Sequence, residues 1–160
     1  MAVQLSQKER MLLEDQKSHE EICIQKYNNY ANQTQDPQLK QLFKNYAKQE
    51  QEHYNTINQI LSGQVPNMAQ QQGKQNQQNQ QNQQYQQTQA QSGMNNQNDA
   101  ALCSDMLMAE KYVSSAYNTA IFEFTDTNIR QVLNHIQKEE QQHGEGIFNY
   151  MKSKGLYNVQ

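Results

Sequence analysis

Along four stretches of the chain, core-type positions recur in alternating steps of three and four, the spacing of a helix face packed against neighbouring helices. The first stretch carries Leu13, Gln16, Glu20, Cys23, Tyr27 and Tyr30, and the second Leu39, Phe43, Tyr46, Glu50, His53, Ile57 and Ile60. The third carries Cys103, Met106, Glu110, Val113, Tyr117, Ala120 and Phe124, and the fourth Ile129, Leu133, Ile136, Glu140, His143, Ile147 and Tyr150. Helices are predicted over residues 8–33, 38–61, 99–124 and 127–154. Asp36 and Asp126 are placed to cap the second and fourth, Pro37 suits a first helical position, Asp99 opens the third, and Gly155 stops the last. The expectation is an all-α, four-helix bundle.

Shifted by 90 positions, the chain matches itself without a gap: Asp15 meets Asp105, Glu20 meets Glu110, Tyr27 meets Tyr117, Asp36 meets Asp126, Glu50 meets Glu140 and His53 meets His143. The matched pairs are mostly polar, whereas a shared helical pattern alone would align Leu with Ile. An internal repeat is predicted, with one antiparallel hairpin over 8–63 and another over 99–155, in a single domain spanning 1–160.

Composition alters this picture in one place. Only 34% of residues are hydrophobic, and the deficit is local: Gln and Asn dominate the stretch around 69–98. A segment with so little to bury cannot offset its ordering entropy, so 64–98 is expected to be a disordered crossover linker, with a sticky, self-associating Gln/Asn tract as the alternative. A helix of about 24 residues is roughly 36 Å long, and about thirty flexible residues span that distance. Helices 2 and 3 are thus free to run parallel, the long-crossover arrangement of ferritin-like bundles.

Charge narrows the function classes. A net charge of −3, with both signs interspersed, offers nucleic acid no basic field. Residues 1–13 lack the continuous apolar run of a secretory signal, no span is long enough to cross a bilayer, and a cytoplasmic site of synthesis is expected. Cys23 and Cys103 break the 90-residue register and read as reduced core fillers. Gly144 and Gly146 lie inside the last helix at about 1 kcal/mol each relative to Ala, marking either close packing or local weakness.

Glu20, Glu50, His53, Glu110, Glu140 and His143 all interrupt mostly apolar stripes and so point inward. Glu20 lies about as far before the first turn as Glu50 lies after it, and Glu110 and Glu140 flank the second turn likewise, so each hairpin sets its two carboxylates at one level. Four buried carboxylates cost several kcal/mol each without compensation, and two divalent cations would balance them. A Glu from each of two helices plus Glu-x-x-His from the other two is the donor set of di-iron and di-manganese carboxylate bundles. Two ions are expected, Fe or Mn ahead of Zn, although oxygen and imidazole donors do not choose among them. The rival reading is a degenerate polar core without metal. Tyr27 and Tyr117 read as core aromatics rather than redox participants, and Glu21, Glu52 and Glu139 as off-stripe and solvated. No separate catalytic acid or base is evident.

Leu102-x-x-Asp105-Met106-Leu107, Glu110-Lys111, Tyr117-x-x-Ala120, Asn128-Ile129-Arg130 and the closing Asn149-Tyr150-Met151-Lys152-x-x-Gly155-Leu156-Tyr157-x-Val159 resemble the Coat F family of spore coat proteins. The resemblance covers about 102–159 and, more weakly, 12–61. It implies a sporulating, Clostridium- or Bacillus-like source, a ferritin-like fold, placement in the spore coat, and other coat proteins or further copies of itself as partners. Leu156 stands where an aromatic is common, and the Gln-rich insert is a departure from the family pattern. Family members often lack a full metal set, so the resemblance does not supply the site. The alternative function is a di-iron or di-manganese oxidoreductase acting on O2 or peroxide, with Glu50 and Glu140 bridging and Glu20 and Glu110 terminal.

Overall fold

The structure, a computed structural model, describes residues 2–67 and 97–157. These form α1 (Gln7–Gln33), α2 (Pro37–Leu61), α3 (Gln97–Glu123) and α4 (Thr127–Ser153), with no strand among the described residues. Each boundary has a local cause. Ser6 and Glu9 form a reciprocal cap at the start of α1: the Ser6 hydroxyl accepts the Glu9 N–H at 3.1 Å and the Glu9 carboxylate accepts the Ser6 N–H at 2.8 Å. The Asp36 carboxylate accepts the Gln38 N–H at 2.8 Å, with Pro37 in the first turn, and Asp126 accepts the N–H groups of Asn128 and Ile129.

At the end of α4, Gly155 takes a left-handed φ of 69°, which lets the Leu156 N–H reach the Met151 carbonyl at 2.8 Å and close the last turn. Gly63 ends α2 in the same way with φ 85°, and its carbonyl accepts the Val3 N–H at 2.9 Å, tying the N-terminal segment down. α3 begins two residues before its expected start: Asp99 lies within its first turn rather than ahead of it.

Helix directions follow from the side-chain pairs. Lys8 meets Glu123, Tyr27 meets Glu110 and Tyr30 meets Asp105, so α1 and α3 are antiparallel. His53 meets Glu139 and His143 meets Gln49, so α2 and α4 are antiparallel too. Within each hairpin the helices also run opposite ways, and α2 and α3 are therefore parallel, starting from the same end of a four-helix bundle. The expected disordered linker over 64–98 lies, for its 68–96 part, outside the described residues, while Gln97 and Asn98 belong to α3.

The apolar core is divided in two. One cluster, containing Leu13, Ile57, Ile60, Leu133 and Ile136, fills the end where α1 begins. The other, containing Tyr27, Phe43, Tyr46, Met106 and Tyr150, fills the opposite end. Along α2 the only buried residues between Ala47 and Thr56 are Glu50 and His53, and along α4 Glu140 and His143 separate Ile136 from Ile147. A polar layer thus crosses the middle of the molecule.

Candidate metal centre

All six expected residues meet in that layer, and each is at most 3% exposed. They form two overlapping groups: Glu20, Glu50, His53 and Glu140 in one, and Glu50, Glu110, Glu140 and His143 in the other. Within each group one donor atom per residue lies within 4.8 Å of every other. Glu50 and Glu140 belong to both. The two imidazoles stack at 5.9 Å between centroids, which sets the two groups side by side.

Both histidines turn the same nitrogen inward. His53 Nδ1 lies 3.0 Å from Glu140, 3.2 Å from Glu50 and 3.7 Å from Glu20. His143 Nδ1 lies 3.2 Å from Glu50, 3.3 Å from Glu110 and 3.5 Å from Glu140. The outer nitrogens are held by residues of the facing helix: His53 Nε2 by Glu139 at 2.6 Å, and His143 Nε2 by Gln49 at 2.7 Å. An outer partner of this kind fixes the ring orientation and the tautomer of a ligating histidine.

The terminal carboxylates are fixed across the hairpins. The Tyr27 hydroxyl donates to Glu110 and the Tyr117 hydroxyl to Glu20, each pair reaching from one hairpin into the other. Tyr27 and Tyr117 are core aromatics, as expected, and they also touch the site. Tyr46 stacks on His143 at 4.3 Å and passes over Gly146, where an added Cβ would fall 1.8 Å from its hydroxyl oxygen. Gly146 is therefore a close-packing glycine, whereas an added Cβ at Gly144 meets nothing within 4 Å.

Burial, together with the charges of Glu20 and Glu110, pushes the Glu50 carboxyl well above its usual range. Burial and the charges of Glu110, Glu50 and Glu20 do the same to Glu140. For Glu20 and Glu110 burial acts upward, but hydrogen bonds from their neighbours and the adjacent imidazole charge prevail, leaving Glu20 lowered and Glu110 at about 2. Burial disfavours charge on His53 and His143 as well, yet the surrounding carboxylates raise both, His143 to about 9. Two raised carboxyls, Glu50 and Glu140, thus stand against two lowered ones, Glu20 and Glu110, around two raised imidazoles.

Even so, the layer remains under-satisfied. Buried oxygens of Glu20, Glu110 and Glu140 have no hydrogen-bond partner, a costly condition for carboxylate oxygens in an apolar interior. Unpartnered oxygens, inward Nδ1 atoms and two carboxylates common to both groups fit a pair of divalent cations.

One expectation is overturned. Glu139 is not solvated: its side chain is 14% exposed, and it bridges His53 and His135, the latter at 3.4 Å. A residue one position before a core site projects toward the adjacent helix, and here that helix presents His53. Glu21 and Glu52 are exposed. Gln49 was also missed, and the signal available was polarity at the position preceding both Glu50 and Glu140. Cys23 and Cys103 are buried free thiols, with burial raising both and Cys103 at about 12.

No helix among the described residues is long and apolar enough to cross a membrane. No solved structure matches the chain. An uncharacterized Bacillus subtilis (strain 168) protein, YusN, is 31% identical over 66 residues, which is 41% of this chain and 60% of YusN. The chain thus matches less than two thirds of that relative's length. Residues 98–160, which carry Glu110, Glu140 and His143, match the family model of the Coat F domain.

Proposed function

We propose that this chain is a spore coat protein of the Coat F type whose ferritin-like bundle, a duplicated hairpin, holds two divalent metal ions. The coat assignment is supported by the Coat F match over 98–160. The metal reading is carried by a single observation: two buried donor groups share Glu50 and Glu140, which leaves each with one further Glu and one His of its own.

In this reading Glu50 and Glu140 would be shared by the two ions, Glu20 and Glu110 would each serve one, and His53 and His143 would bind through Nδ1. Tyr27 and Tyr117 steady the terminal carboxylates, while Glu139 and Gln49 keep the outer imidazole protons. The apolar clusters on either side exclude water and strengthen every charge interaction between them. A bound pair of Fe or Mn ions would supply Lewis acidity and one-electron redox capacity toward O2 or peroxide; Zn would supply only the former.

Elemental analysis of protein purified without chelator tests the site. About two metal ions per chain are expected, as in other bundles with this donor set, and the Glu50→Ala, Glu140→Ala double variant should lose both while keeping its helical circular dichroism. Absence of metal from the unaltered protein after equilibration with Fe(II), Mn(II) and Zn(II) overturns the reading. For the coat assignment, a tagged chain should enrich in the spore coat fraction; retention in the vegetative cytosol overturns it.

A further inference from the structure

The two donor groups are matched in most respects. Each has the two shared carboxylates, one terminal Glu that accepts a tyrosine hydroxyl, and one inward Nδ1. They differ behind the histidines. His53 Nε2 faces the Glu139 carboxylate at 2.6 Å, and His143 Nε2 faces the Gln49 amide oxygen at 2.7 Å. Gln49 and Glu139 occupy the same place in the 90-residue register, one position before each Glu-x-x-His, so one full charge distinguishes the outer partners of the two histidines. The histidines differ also in the Tyr46 ring stacked on His143, where the register puts Ile136 beside His53.

Glu139 is also well placed to exert that charge. One oxygen contacts His53, the other lies 3.4 Å from His135 Nε2, and only 14% of the side chain is exposed. The carboxylate is oriented and only weakly screened. An anionic acceptor polarises the outer N–H of an imidazole more than a neutral amide does, and so makes the opposite nitrogen a stronger donor.

We propose that the two metal positions fill in order, the His53 position first, with Glu139 and Gln49 as the positioning residues that set the order. This inference rests on the metal-site reading above. Outer partners of ligating histidines are commonly worth about 10–100-fold in metal affinity, and a separation of that order is expected between the two steps.

The test uses Zn(II), which is diamagnetic and redox-inert, titrated into the full-length apo-protein. Calorimetry with a competing chelator gives the affinities, and nuclear magnetic resonance of 15N-histidine shows which ring responds. The first equivalent should shift His53 and the second His143. Glu139→Gln should weaken the first step by roughly 10–100-fold and bring the two steps together. Gln49→Glu should strengthen the second step by a similar factor, and because it is a gain it does not depend on a variant that merely misfolds.

Two equal steps in the unaltered protein, or His143 responding first, overturn the ordering while leaving the site reading intact. Two steps that neither variant moves overturn the role given to Glu139 and Gln49. Failure to bind any Zn(II), with Fe(II) and Mn(II) also failing, removes the site reading and the ordering together.

Discussion

The two apolar ends of the bundle support the polar layer by different means. Where α1 begins, the core is largely aliphatic, with Leu13, Ile57, Ile60, Ile129, Leu133 and Ile136, and these side chains have no polar atoms to satisfy. At the other end Tyr27, Phe43, Tyr46 and Tyr150 dominate, and three of the four carry a hydroxyl. Tyr27 donates to Glu110, Tyr150 donates to Asp36 at 2.6 Å, and the Tyr46 hydroxyl is buried without a partner. The aliphatic side chains are held by area alone, so a change confined to them should ignore pH, although the same end also carries Tyr117 donating to Glu20 and Glu9 accepting the Thr125 N–H. The aromatic end is tied to carboxylates and should respond to acid and to what the centre binds.

Truncation at the aliphatic end gives the largest stability change. Leu133 is fully buried, and Leu133→Ala should cost about 2–5 kcal/mol by chemical denaturation, with the same loss at pH 5 and pH 8. A strongly pH-dependent loss would mean that the two ends are not separable in the way described.

Between the ends, loading the centre should be coupled to protons. Glu50, Glu140, His53 and His143 are all shifted toward holding their protons, which two divalent ions would have to displace. Potentiometry should record proton release when the ions bind near pH 7. As pH rises through about 9, the His143 proton is already gone before the metal arrives, so the release falls. As pH drops, affinity weakens steeply. Proton-independent binding would place the ions elsewhere.

Much of this was legible from the stripes. A carboxylate or imidazole at a core position of an amphipathic helix has nowhere to point but inward, and equal distances from the turns set the levels. Glu20, Glu50, His53, Glu110, Glu140 and His143 were located by those two rules. What surrounds them was not. Tyr27 reaches Glu110 and Tyr117 reaches Glu20 across hairpins, and helix spacing within one hairpin does not say how it is rotated against the other. Glu139 sits one residue off the stripe, in the zone where a helix side chain either meets a neighbour or meets water. The choice depends on what the neighbour presents. The start of α1 likewise depends on Ser6 and Glu9 acting as a pair, which neither residue signals alone.

Next in size is the contact that distinguishes the aromatic end. Gly146→Ala should cost roughly 1–3 kcal/mol, because the new methyl group overlaps the Tyr46 hydroxyl and the ring is already stacked on His143. Tyr46→Phe removes an unpartnered hydroxyl and should be close to neutral by itself. In that background most of the Gly146→Ala loss should disappear, a non-additivity that a thermal-melt double-mutant cycle would read. Gly144→Ala, two residues away with open space around it, should instead stabilise by up to about 1 kcal/mol.

The smallest effect compares the two caps. Among the described residues Asp126 accepts only the N–H groups at the start of α4, whereas Asp36 accepts the Gln38 N–H and the Tyr150 hydroxyl and lies 3.6 Å from Lys154. Burial pushes the Asp36 carboxyl upward, but these partners prevail and hold it below its usual 3.8. A carboxyl lowered on folding stabilises above its unfolded value and loses that contribution as pH falls through the folded one. The Asp36 contribution is therefore intact at neutral pH and fades below about pH 4. Asp36→Ala should cost about 1 kcal/mol at pH 7 and progressively less in acid. Asp126→Ala should fall toward the low end of the capping range, since no tyrosine or lysine depends on it. Equal losses for the two caps, unchanged by acid, would show that the Tyr150–Asp36–Lys154 contact adds nothing, and the aromatic end would then differ from the aliphatic one only in the side chains it packs.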